Sequence, residues 1–215
     1  MDIQFYGANC ITLTGKHGRV VIDDNLTALG AKSITKPGDI ALFTSSVTHT
    51  PTTVETKLEI DHGGEYEVSD ISIYGIPARS HLDEEGKQTA TMYKIISKEL
   101  SVFIPGHVYP ELTDEQLESV GMVDIMLIPV GANGFTLDPV GALKIIKKIE
   151  PKIVIPTHYD GGPGGGTPLK FEVPQQTLEQ AITSLSMEPK EPVQKLKLKA
   201  GELPEIMELV VLERS

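Results

Sequence analysis

The chain has a single cysteine, Cys10, among its 215 residues. No intrachain disulfide can form. Cys10 sits in the apolar run 9–13 and reads as a small buried core residue rather than a nucleophile. Long hydrophobic runs are also missing: none approaches the roughly 20 residues a membrane helix needs. Positive charge is scarce, with 19 Lys and Arg against 30 Asp and Glu, for a net charge of −11. So acidic a surface repels phosphate backbones, and general nucleic-acid binding is not expected. The opening "MDIQFYG" carries no basic region and no signal-peptide core. A cytoplasmic protein away from the membrane is expected, and a homo-oligomer is compatible with that. There is no G-x-S-x-G elbow. The glycine-rich "GGPGGGTPLK" lacks the Gly-Lys-Ser/Thr ending of a phosphate loop and reads as a mobile flap beside His158.

What is present is an ordinary globular composition, 40% hydrophobic and 23% charged, with ample length for a core. The first hundred residues read as β-structure. "DIQFYG", "NCITLTG" and "GRVVIDD" form a meander separated by turn residues, and "DIALFT" follows a Pro-Gly turn. "TKLEI" and "GEYEV" flank Asp61, His62, Gly63 and Gly64 as a hairpin. "ISIYGIPA" and "TATMYKIIS" flank a polar loop. Beyond "LSVFIPG" the pattern alternates. Thr113, Gln116 and Gly121 bound a short helix. "VDIMLIPVG" and "KIVIPTHY" read as strands buried on both faces. Asp138 and Pro139 start a helix with Ala142, Ile145, Ile146 and Ile149 on one face, stopped by Pro151. A further helix is predicted over 173–186, and strands over 193–199 and 206–213. No linker or composition shift divides the chain, so one domain over 1–215 is expected, with sheets covered by helices.

Six histidines are present. His17 and His62 fall in turns. The other four share a position: His49, His81, His107 and His158 each come just after a strand end, where sheet-based folds build their sites. Three or four neutral imidazoles suffice for one zinc or similar divalent ion. Any one loop histidine alone is more simply a hydrogen-bonding residue. Asp23 and Asp24 close the strand "RVVIDD"; one of them reads as a group that orients a ligand or backbone amides, and a plain polar strand terminus is an equal reading. A hydroxyl nucleophile from Ser45, Ser46 or Ser80 is the least supported alternative.

The motif order resembles the metallo-β-lactamase fold, specifically its small zinc-dependent hydrolases related to ascorbate-6-phosphate lactonase. "VVIDD" matches that group's strand ending in Asp. "VDIMLIPVGANGFTLDPVGALKIIKKIEPKIVIPTHYD" matches its back half closely. The resemblance covers about residues 1–165 and implies an α/β fold, an αββα sandwich of two mixed sheets flanked by helices. The metal motifs depart. "SSVTHT" lies over H-x-H-x-D-H, so Ser45 and Val47 stand at the first two His positions, His49 at the Asp and Thr50 at the last His. In "ARSHLD" the histidine comes one residue late. "PGH" puts His107 where the Asp that bridges two metals belongs. Only His158 in "IPTHY" matches outright. The usual dinuclear site therefore cannot form. Two outcomes are expected. One is a single divalent ion, with zinc the expected metal, on His49, His81, His107 and His158, hydrolysing a small ester, lactone or phosphodiester, with Asp23 or Asp160 as candidate bases. The other is a metal-free pseudoenzyme that serves binding or assembly.

Overall fold

The computed structural model describes residues 1–46, 49–98, 100–165 and 168–215. β1 (Asp2–Gly7), β2 (Cys10–Gly15) and β3 (Gly18–Ile22) form the expected antiparallel meander. β4 (Ile40–Leu42) and β5 (Leu58–Ile60) then add in parallel. β6 (Gly64–Val68), β7 (Ile71–Ala78), β8 (Ala90–Ser97) and β9 (Leu100–Ile104) are antiparallel neighbours in the second sheet. α1 (Asp114–Val120) leads to β10 (Ile125–Pro129), α2 (Pro139–Ile149) to β11 (Ile153–Thr157), and α3 (Leu178–Leu185) follows. β12 (Leu196–Lys197) and β13 (Glu208–Leu209) pair with β1 and β11. Among the described residues this makes a six-stranded sheet, β12-β1-β2-β3-β4-β5, and a seven-stranded one, β13-β11-β10-β9-β8-β7-β6. Both are mixed, as expected for the α/β sandwich.

The pattern of side chains explains the layering. β1 alternates buried and half-buried residues, as a strand with one face on the core must. β10 and β11 are buried at every position, as parallel strands covered on both faces are. Ile3, Phe5 and Ile22 from one sheet share a core with Ile73, Tyr93 and Phe103 from the other. Tyr93 carries a polar tip into that core, and its hydroxyl reaches the carbonyls of Phe43 (3.0 Å) and Ile60 (3.1 Å) at the ends of β4 and β5. The helices pack on the seven-stranded sheet, α1 against β7 and α2 against β10, with α3 against α2. Among the described residues no helix is long and apolar enough to cross a membrane.

Three expectations are corrected. The hairpin of 56–60 with 64–68 does not exist: β5 and β6 belong to different sheets. β5 instead lies parallel to β4, and the 62–64 segment passes against β7, where His62 O is only 2.8 Å from a Cβ built at Gly75. The third helix starts at Leu178, not 173. Thr177 and Gln180 form its capping box, while Pro174 holds the residue before it extended. The last two strands shrink to two residues each.

Candidate functional site

β9, β10 and β11 are parallel, so their C-terminal ends lie at one edge of the sheet. His107 follows β9 and His158 follows β11. Their rings meet edge to face, centroids 4.8 Å apart at 89°. Two glycines permit this. Gly106 has φ +66°, and a Cβ there would overlap the Thr44 side chain. At Gly131, just after β10, a Cβ would overlap the His158 carbonyl and the Gln175 side chain. His158 itself adopts a left-handed backbone (φ 54°), uncommon for a non-glycine residue. Its N–H donates to the Ala8 carbonyl at 2.6 Å.

The polar atoms of this pair are specified. Gln175 Oε1 lies 3.1 Å from His158 Nδ1, and Gln175 Nε2 donates to the Val173 carbonyl at 2.6 Å. The amide is thereby oriented, so Nδ1 of His158 carries the proton and Nε2 the lone pair. His107 Nδ1 is buried with no hydrogen-bond partner. Phe135 packs against both rings, at 5.3 Å and 5.8 Å, and Phe171 against His158 at 5.4 Å. Burial, reinforced by His81 for the first and by His107 for the second, pushes His107 down to about 4 and His158 down to about 3. Both rings are neutral at pH 7.

A cavity of about 470 Å³ opens on the pair, lined also by Asn9, Asp23, His49, Gln175, Glu172 and the apolar Leu29, Leu82, Phe135 and Phe171. His49 thus shares the cavity, but its ring is engaged elsewhere. Nε2 lies 2.9 Å from Glu59 and Nδ1 3.2 Å from Asp61, and the ring packs on Phe43 at 4.0 Å. His81 is not among the residues lining that cavity. Ser80 makes an isolated bridge with Val108, so the segment is strand-like there and the one-residue displacement matters: Ser80 is buried, and His81 falls on the alternate face, 6.2 Å from the Tyr109 ring. Its backbone N–H donates to the His107 carbonyl at 3.0 Å, and its Nδ1 is also buried without a partner. Among the described residues, no three His, Cys, Asp or Glu side chains are grouped so as to hold a metal ion. The structure brings two of the four expected imidazoles into contact and a third into the same cavity.

The carboxylates at the end of β3 orient the backbone. Asp23 accepts from Thr44 N (2.7 Å), Thr44 Oγ1 (2.6 Å) and Asn9 Nδ2, although its burial raises its pKa. Asp24 gathers the amides of Ile34 and Thr35 with the hydroxyls of Ser33 and Thr35. Asp160 is exposed and accepts from Gly161 N. The glycine stretch is no free flap over its described part: Gly165 N donates to the Arg214 carbonyl and Arg214 N to that of Pro163. Gln175, Asn9, Phe135 and Phe171 carry no motif that marks them; their place in the site is set by tertiary packing. Ser45 is buried and bridged to Ala90, and Ser46 is exposed. Val47 lies outside the described residues.

A family model for the β-lactamase superfamily domain matches residues 2–158, ending on His158. The chain belongs to the metallo-β-lactamase superfamily. A metal-dependent hydrolase of Methanopyrus kandleri is 30% identical over 112 residues, which are 49% of this chain and 48% of that protein. The matched stretch thus spans about half of that relative's length. A Thermotoga maritima protein, assigned to the zinc-dependent hydrolases of the metallo-β-lactamase superfamily, superposes with a TM-score of 0.72 at 21% identity, covering 99% of this chain and 98% of its own. A metallo hydrolase from Ignicoccus hospitalis gives 0.59 at 17% identity, covering 86% and 90%. At those identities the likeness is one of fold.

The donor set bears on what this member of the superfamily could hold. No donor cluster for two ions is present among the described residues; Ser45 and Ser80 occupy positions where the resemblance expects imidazoles, and His107 the position where it expects the bridging carboxylate. For one ion the chemistry is suitable. The His158 Nε2 lone pair and the His107 imidazole, whose buried Nδ1 has no hydrogen-bond partner, are neutral nitrogen donors of the kind zinc takes, and His49 is the third imidazole on the same cavity.

Proposed function

We propose that the protein is a hydrolase of this superfamily rebuilt around His107 and His158, acting on a small ester, lactone or phosphodiester in the cavity. The observation that carries this reading is the pairing of two buried neutral imidazoles, one with an unpartnered Nδ1, at the ends of parallel strands. The relatives named as metal-dependent hydrolases add a divalent ion to it. His107 and His158 would hold that ion, with His49 as third donor after leaving Glu59 and Asp61. Such an ion supplies Lewis acidity and a more acidic bound water. The chain's own residues orient the ligands: Gln175 fixes the His158 tautomer, and Thr44 with Asp23 holds the strand end from which the His49 loop departs.

The test is zinc titration of untagged, chelator-stripped protein by calorimetry, with elemental analysis. One zinc per chain is expected, weakened at least about tenfold in His158→Ala, since loss of one ligand removes a principal bond. Failure to take up zinc would overturn the metal part of the reading. A metal-free binding protein is the second reading. It is favoured by the two carboxylate bonds of His49, which hold the third donor away from the pair. Under that reading, zinc leaves the melting temperature unchanged.

A further inference from the structure

The cavity has at its mouth a residue that the fold itself does not use. Leu82 is 64% exposed and no part of the hydrophobic core, yet the loop that presents it is firmly fastened. The Asp83 carboxylate accepts from the backbone N–H of Ser80 (2.8 Å), from that of Thr89 (2.8 Å) and from the Thr89 hydroxyl (2.7 Å). The Asp83 carbonyl accepts two N–H groups of the Arg79 guanidinium, at 3.2 and 3.1 Å. That guanidinium is braced on the Tyr109 ring, 4.2 Å from its centroid. The His81 N–H donates to the His107 carbonyl at 3.0 Å, and the Tyr109 N–H to the Arg79 carbonyl at 2.9 Å. The chain is thus tied down on both sides of Leu82. A leucine exposed by itself on a surface is ordinary. Leu82 is not by itself: it lines the cavity together with the half-buried Leu29 and Phe171. Phe135 continues the apolar wall inward to the two imidazole rings.

A loop that is ordered before binding spares the complex the cost of ordering it. An apolar side chain held in water at a cavity mouth gains when a hydrocarbon surface covers it. We infer that Leu82 is a specificity-determining residue, covered in the complex by a hydrocarbon substituent of the substrate that runs from the reacting bond towards solvent, against Leu29 and Phe171. The inference concerns the part of the substrate that does not react. It therefore holds for an ester, a lactone or a phosphodiester alike, and whether or not an ion sits on the imidazoles. It rests on the reading of the cavity as the substrate site. The cavity, about 470 Å³, is of the size that small-molecule sites have. Among substrates with one reacting group, selection then falls on the length of the apolar part, each methylene taken out of water being worth about threefold.

Methyl acetate, methyl butanoate and methyl hexanoate decide it. Their kcat/KM is measured with the zinc-loaded full chain, and their binding in EDTA is followed by saturation-transfer NMR. Affinity, and kcat/KM with it, should rise along the series by about threefold per methylene. Leu82→Ala should weaken methyl hexanoate by about fivefold and leave methyl acetate within about twofold. Its melting temperature should be unchanged, because the side chain is exposed. Leu82→Met, which keeps an apolar side chain of similar volume, should retain the preference. A flat series, no binding of methyl hexanoate, or an equal effect of Leu82→Ala on the longest and shortest ester would each overturn the inference. The two measurements separate it from the hydrolase reading. Methyl hexanoate binding that Leu82→Ala weakens, without hydrolysis of any ester under zinc, would remove the enzyme and leave the apolar subsite. Hydrolysis of all three esters at one kcat/KM would keep the enzyme and remove the subsite.

Discussion

His107 and His158 are buried in their neutral form, and this has a consequence for acid stability. Their folded-state pKa values, about 4 and about 3, lie below the ordinary 6.5. The unfolded chain therefore takes up protons first as pH falls through 6.5. Stability from this pair is complete above that point and declines until the folded rings also protonate near 4 and 3, by up to about 1.4 kcal/mol per pH unit for each residue. Asp23, raised by burial, works in the opposite sense but is common to both proteins compared. Urea unfolding between pH 7 and 4.5 in EDTA should show a steeper loss for the wild type than for His158→Gln; parallel curves would refute the assignment. The strand-end position of the four histidines was legible in the sequence, because each follows an apolar run with a clear stop. Ring direction was not. Nothing in the spacing says that Glu59 on β5, the parallel neighbour of β4, and Asp61 just after it would engage His49. Gln175 was hidden for a related reason: it lies in what reads as a helix start, and its partner is 17 positions away.

Elements with local signals matched their sequence. Thr113 with Gln116 and Asp138 with Pro139 start helices as expected, since caps are decided within one turn of chain. Asp138→Ala should cost about 1 kcal/mol, the usual worth of such a cap, read as a melting temperature lower by about 2–4 °C; an unchanged temperature would mean that the Gly141 amide finds another acceptor. Strand partners are settled by sheet topology instead, which is why β5 and β6 looked like a hairpin. The turn after β9 joins the two kinds of information. "IPGH" is visible as a turn, but not that its glycine touches Thr44. Gly106→Ala meets both a positive φ and a filled space, at a combined cost of about 3 kcal/mol. Thermal unfolding should fall by about 6–12 °C. A loss below that of Asp138→Ala would show that Thr44 gives way easily.

Across the whole molecule, a small polar side chain ties the two sheets together at the site edge. Asn9, in the β1–β2 turn, donates from Nδ2 to Asp23 at the end of β3 and accepts at Oδ1 from Thr157 Oγ1, 2.6 Å away at the end of β11 and 148 positions along the chain. The adjacent Ala8 carbonyl takes the His158 N–H. One turn of the six-stranded sheet thus holds the last strand of the family match, and with it the imidazole that every reading of the site uses. All three side chains are buried, so removing Asn9 leaves a carboxylate short of a donor and a hydroxyl short of an acceptor. Unmade buried hydrogen bonds cost more than made ones contribute. Asn9→Ala should therefore destabilise the fold by about 2–3 kcal/mol, seen as a shift in the urea midpoint at unchanged slope. It should also speed hydrogen exchange at the His158 amide more than at amides in the middle of β10, because the loss is local to the joint. Asn9→Asp is the stricter variant. It keeps the size and the acceptor for Thr157 but sets a second carboxylate against Asp23, so at neutral pH it should be the less stable of the two. If Asn9→Asp matched the wild type instead, the contact to Asp23 would carry no weight, and this edge would be held by the Thr157 bond and the backbone bond from His158 to Ala8.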